Sequence, residues 1–113
     1  MVSIEKGASR MINELSVQEL QVWANQQTIF LIDVREPAEY ATGHIKGSNL
    51  MPLSQLNNYR NQIPHDLPVV VVCRSGQRSS MAAQWLASNG WNNIYNTRGG
   101  MLAWSKAGLP EER

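Results

Sequence analysis

The chain reads as an α/β domain: a central parallel sheet of about five strands with helices on both faces. Three observations predict it. Apolar runs of strand length alternate with segments of helical spacing along most of the 113 residues. Val69-Val70-Val71-Val72 is an unbroken β-branched run, the pattern of a strand covered on both faces. Glycine and proline stand between the runs as turn and breaker signals, and strands so separated by helices are joined by right-handed crossovers.

The elements follow in order. Residues 1–13 show no periodicity and are expected to form a mobile arm or a leader, with the domain proper spanning 14–113. Ser16-Val17-Gln18-Glu19 fits a capping box that opens a first helix running to Gln26. Ile29 to Val34 is a buried strand. Arg35-Glu36-Pro37 opens a short helix, because proline suits a first turn, and Gly43 stops it. Gly47 to Leu50 is a further strand, broken by Met51-Pro52. Ser54 to Gln62 is expected to be helical, and Pro64 and Pro68 bound the next loop. After the valine strand, Met81, Ala82, Trp85 and Leu86 share one face of a helix that Asn89-Gly90 ends. Asn93 to Asn96 is a weaker strand. Gly100 to Ala107 forms the last helix, closed by Gly108 and Pro110.

Composition narrows the function. At 113 residues with 42% hydrophobic residues and a net charge of +1, the chain is one domain, without the basic footprint of a nucleic-acid binder. Its apolar runs fall far short of the ~20 residues that span a bilayer, so no membrane partner is expected. A single cysteine excludes an internal disulfide and suits a reducing, cytoplasmic setting.

That cysteine is the centre of interest. Cys73 ends the valine strand, and Arg74-Ser75-Gly76-Gln77-Arg78-Ser79 follows before the helix begins. Open α/β sheets place ligands at the carboxyl ends of their strands. A helix N-terminus and cationic neighbours lower a thiol's pKa. Gly76 lets the backbone turn so that the N–H groups of residues 74–79 aim at one point, an anion-binding concavity.

The loop Cys73-Arg74-Ser75-Gly76-Gln77-Arg78 is similar to the six-residue active-site loop of single-domain rhodaneses, the thiosulfate sulfurtransferase family, with cysteine first, glycine fourth and arginine last. Leu31 to Tyr40 and Gly43 to Ser48 resemble that family's first signature block. Arg98-Gly99-Gly100-Met101-Leu102-Ala103-Trp104 resembles its C-terminal block. The likeness covers roughly residues 14–110 in family order and implies a rhodanese-like domain.

The resemblance implies that the Cys73 thiolate takes a sulfane sulfur from thiosulfate or a persulfide donor. The resulting persulfide passes it to cyanide, a thiol or a protein acceptor, a ping-pong scheme needing no cofactor. Arg74 and Arg78 are expected to hold the anion with their forked donors. Two alternatives share the loop. A regulatory or sulfur-carrier module would use it without turning over thiosulfate. A phosphatase or arsenate reductase would use a wider loop, with five residues rather than four between cysteine and arginine.

The remaining candidates are supports. Asp33 reads as a structural acid, and Arg35 pairs with it or with Glu39, or reaches the site rim. His44 reads as hydrogen-bonded structure, since no cysteine or histidine at ligand spacing accompanies it to hold a metal. Gly99 and Gly100 serve either a tight turn into the last helix or a close approach to the active loop. Trp104 is core or lines the pocket.

Overall fold

The computed structural model of the chain describes residues 12–26 and 28–113. Its five strands are β1 (Asn13–Leu15), β2 (Phe30–Asp33), β3 (Asn49–Leu50), β4 (Val69–Val72) and β5 (Ile94–Thr97). All pair in parallel, in the order β1-β5-β4-β2-β3. The helices are α1 (Val17–Gln26), α2 (Pro37–Ala41), α3 (Gln77–Ser88) and α4 (Gly100–Lys106).

The valine strand is the axis of the molecule. Its side chains alternate between two separate cores, as a pleated strand requires. Val69, Val71 and Cys73 point to one face, among Ala82, Ala83 and Leu86 of α3, with Leu56 and Trp91. Val70 and Val72 point to the other, among Leu20 of α1, Ile45, and Met101 and Trp104 of α4. All four valines have no exposed surface. At roughly 1.5–3 kcal/mol each, their burial contributes about as much as the whole net stability of a small domain.

Local chemistry explains the helix starts. Ser16 Oγ accepts from Glu19 N at 3.0 Å while Glu19 Oε1 accepts from Ser16 N at 2.8 Å, closing the expected capping box on α1. Glu39 Oε1 likewise accepts from Glu36 N at 2.9 Å at the start of α2. The indole N–H groups of Trp91 and Trp104 donate to the carbonyls of Pro64 and Pro110.

Two strands differ from expectation, and one helix takes a tighter form. The sheet's fifth strand is β1, at the edge beside β5, and it begins at Asn13, inside the stretch assigned to the arm. Residues 1–11 lie outside the described residues. Three residues are too few to display alternation, and pairing with β5 makes this strand. The helix expected from Ser54 to Gln62 is present and takes the 3₁₀ form, Leu53–Gln62. Its apolar residues Leu53, Leu56 and Tyr59 recur every third position and pack together on the α3-side core, which suits three residues per turn. The β3 strand is only Asn49–Leu50.

The strand order positions the site. From β2 the chain moves outward to β3, and from β4 it moves the other way to β5. The connections therefore diverge between β2 and β4, the crevice where open α/β sheets bind ligands. Asp33 lies beside Val72 in register there, and Val34 N donates to Val72 O at 3.0 Å.

Candidate active site

Cys73 leaves β4 at that crevice, and the turn Arg74-Ser75-Gly76 wraps over it into α3. Gly76 has φ +107°, the left-handed backbone that glycine favours. This conformation aims its N–H inward, and it donates to Cys73 Sγ at 3.1 Å. Ser79, one turn into α3 and wholly buried, donates its hydroxyl to the same sulfur at 3.3 Å.

These donors decide the thiol's acidity. Burial pushes the Cys73 pKa up. The Ser79 hydroxyl and the N–H groups of Ser79, Gly76 and Ser75 outweigh it, and the thiol lies below its ordinary value. The residue nonetheless has no exposed surface.

The loop is held from the opposite side by α4. Met101 N donates to Cys73 O at 2.8 Å and Leu102 N to Arg74 O at 3.0 Å. Such proximity leaves no room for a side chain at Gly100, where a Cβ would stand 2.4 Å from Cys73 O and 2.6 Å from Arg74 O. Gly99, at φ +78°, supplies the turn into α4. The glycine pair thus serves both the turn and the close approach.

The arginines divide. Arg78, expected to hold the anion, instead directs both Nη groups at Glu39 of α2, at 2.7 and 2.8 Å. The Arg78 guanidinium holds the Glu39 carboxyl well below the usual range, at about 2. Arg35 is buried with Asp33: Nε donates to Oδ1 at 3.0 Å and Nη2 to Oδ2 at 2.8 Å. Its remaining donors go to the carbonyls of Glu39 and Gly43. Among the described residues, only Arg74 of the three presents its guanidinium without a partner, on an exposed turn.

A groove of about 380 Å³ runs between α2 and α4, with Arg74, Glu39, Leu102 and Glu111 in its walls. On the far side of the loop a second, open cleft is bordered by Ser75, Gln77, Met81 and Arg98. His44 lies away from the sulfur: Nδ1 meets Tyr40 O at 3.0 Å and its ring stacks on Tyr40 at 3.7 Å. Trp104 is 2% exposed, in the core beneath α4, and lines neither cavity beside the loop. Among the described residues, no group of three histidine, cysteine, aspartate or glutamate side chains is arranged to hold a metal.

Sequence reasoning missed two participants. Ser79 was expected to serve through its backbone, whereas its hydroxyl also meets the sulfur. Glu39 was seen only as a possible partner of Arg35. Its signal lay in the topology: a residue one turn into the helix after β2 stands beside the loop after β4 when the two strands are neighbours.

Comparison with known proteins agrees with this geometry. The family model described as "Rhodanese-like domain" matches residues 16–107. A sulfurtransferase of Allochromatium vinosum is 39% identical over 101 residues, covering 88% of this chain and 94% of that protein. The thiosulfate sulfurtransferase GlpE of Vibrio cholerae is 32% identical, covering 87% of this chain and 92% of that protein. Among solved structures, a rhodanese-related protein of Thermoplasma volcanium superposes with a TM-score of 0.82 at 29% identity, over 88% of this chain and 97% of that one.

Proposed function

The chain belongs to the rhodanese-like family, and from that premise we propose that it is a sulfurtransferase working through a persulfide on Cys73. In the first half-reaction the thiolate attacks the outer sulfur of thiosulfate. The S–S bond of thiosulfate breaks with its electron pair, sulfite leaves as the dianion, and Cys73 keeps the outer sulfur as a persulfide anion. In the second, cyanide, a thiol or a protein thiolate attacks that outer sulfur and the Cys73 thiolate returns. No cofactor enters either step.

One observation carries this reading. A cysteine with no exposed surface is nonetheless more acidic than usual, because one hydroxyl and a ring of backbone N–H groups converge on its sulfur. A structural cysteine has no need of such donors. The same ring serves the persulfide anion, whose charge sits one atom further out. Arg74 is the group that meets the donor's charge at the rim. The lone thiol fits a reducing compartment, and we place the protein in the cytoplasm.

The test is intact-protein mass spectrometry after thiosulfate, then after cyanide. The expected result is a gain of one sulfur (~32 Da) on the Cys73 peptide, its removal by cyanide with thiocyanate formed, and no gain in Cys73→Ser. Gain on the Ser variant, or none on a folded wild type with either thiosulfate or a persulfide donor, overturns the proposal.

A further inference from the structure

Of the four arginines beside the loop, Arg35, Arg74, Arg78 and Arg98, two are held by carboxylates. Arg35 is locked to Asp33 beneath the groove. Arg78 is gripped through both Nη groups by Glu39, whose second fixed contact, from Glu36 N, holds the carboxylate in place. Glu39 stays ionised across the working pH range, so its charge faces Arg78 throughout it. The groove walls carry Arg35 and Arg74 against Glu39 and Glu111, so positive and negative charges match in number.

That balance matters for the donor's charge. A thiolate meeting thiosulfate gathers three negative charges in the transition state. A thiolate meeting an alkyl persulfide gathers one when the donor is protonated and two when it is ionised: it takes the outer sulfur, the S–S bond breaks, and the donor leaves as a thiolate. Stabilising three charges calls for free cations, and in the groove between α2 and α4 Arg74 is the one unpaired arginine among the described residues.

We propose that Glu39 is a specificity-determining residue: by occupying Arg78 it keeps that cation away from the donor and tunes the site toward alkyl persulfides over the thiosulfate dianion. Glu39 acts through Arg78 and touches no reacting atom, so it is a positioning residue. The inference rests on the sulfurtransferase reading above and adds a donor class to it. The persulfide of this class is a cysteine persulfide on a small molecule or on a protein.

The experiment compares kcat/KM for loading of Cys73 by thiosulfate and by N-acetylcysteamine hydropersulfide, a donor of lower charge whose organic part carries none. Wild type is expected to favour the persulfide. Glu39→Gln keeps the shape and removes the charge, freeing Arg78. The thiosulfate-to-persulfide ratio should then rise by roughly tenfold, the size of a rim charge change. Adding Arg78→Ala to Glu39→Gln should cancel the gain, which a merely structural Glu39 would not produce. Glu111→Gln on the opposite wall provides a second variant and should move the ratio the same way without Arg78. A ratio unchanged in Glu39→Gln, with Cys73 still loaded by both donors, overturns the inference. Loading by neither donor in wild type overturns the sulfurtransferase reading instead.

Discussion

Replacing Gly100 by alanine places a methyl carbon where the active loop's carbonyls already stand. The added Cβ would lie 2.4 Å from Cys73 O and 2.6 Å from Arg74 O, and both are backbone atoms that no rotamer change relieves. Carbon–oxygen contacts settle at about 3.3–3.6 Å, so α4 and the loop must part by about 1 Å. The positive φ of +56° adds its own strain, about 1–2 kcal/mol for a residue bearing a Cβ. Forced overpacking adds about 1–3 kcal/mol. Gly47 provides the control: its φ is +84°, yet a Cβ there meets nothing within 4 Å. Gly47→Ala therefore carries only the conformational part, and the difference between the variants isolates the clash. At this chain length each kcal/mol moves Tm by about 3–6 °C, so Gly100→Ala should melt at least about 3 °C below Gly47→Ala. The larger effect is on chemistry. A 1 Å misplacement of a reacting group costs on the order of 100-fold, and the rate of Cys73 persulfide formation should fall by that order in Gly100→Ala alone. Equal melting of the two variants, with persulfide formation in Gly100→Ala near the wild-type rate, would refute the idea that α4 clamps the loop.

Other predictions concern charge and acidity. Ser79→Ala removes the largest single contribution that lowers the Cys73 pKa, so the acid limb of the pH–rate profile should move to higher pH; an unmoved limb would show that the hydroxyl does not stabilise the thiolate. The Glu39–Arg78 pair should matter to acid stability. The carboxyl falls from 4.5 to about 2 on folding, so the pair's contribution is complete above about pH 4.5 and is lost as pH drops toward 2. Both side chains are about one-third exposed, which limits the contribution to about 1 kcal/mol or less. Urea midpoints of wild type and Glu39→Gln should converge across that window, and parallel curves would contradict it. Arg35→Leu strands the Asp33 carboxylate, which has no exposed surface, and should cost about 3–5 kcal/mol by urea unfolding; a loss under about 1 kcal/mol would mean that Asp33 finds another partner.

Those three carboxylate and hydroxyl contacts mark where the sequence was readable and where it was not. The α/β class, the parallel sheet and the position of Cys73 follow from local signals: four consecutive valines, a glycine in the loop, and helical spacing after it. The capping box at Ser16 was equally visible, because it is a bond between residues three apart. Glu39 and Arg78 are 39 positions apart. Their pairing depends on β2 and β4 being neighbours, and strand order is a property of the whole sheet. Both arginines of the loop look alike in sequence. Only the helix laid beside one of them separates a bracing cation from a free one. The β1 strand was hidden for the same reason, since its three residues form a strand through the partner they meet on β5.

The sulfur's surroundings show why that separation suits the chemistry. The contributions that lower the Cys73 pKa come from neutral donors, a hydroxyl and backbone N–H groups. Donors fixed by helix and turn need no reorganisation as charge moves. A cation directly on the sulfur would stabilise the resting thiolate most and would be an obstacle to passing that charge outward along a growing S–S bond. The fold avoids this by tying Arg78 to α2 and setting Arg74 out on the rim. On the proposed sulfurtransferase reading, thiolate stabilisation and donor recognition fall to different groups. Changes at Ser79 should therefore alter the pH profile with every donor alike, while changes at Glu39 or Arg74 should alter the choice between donors.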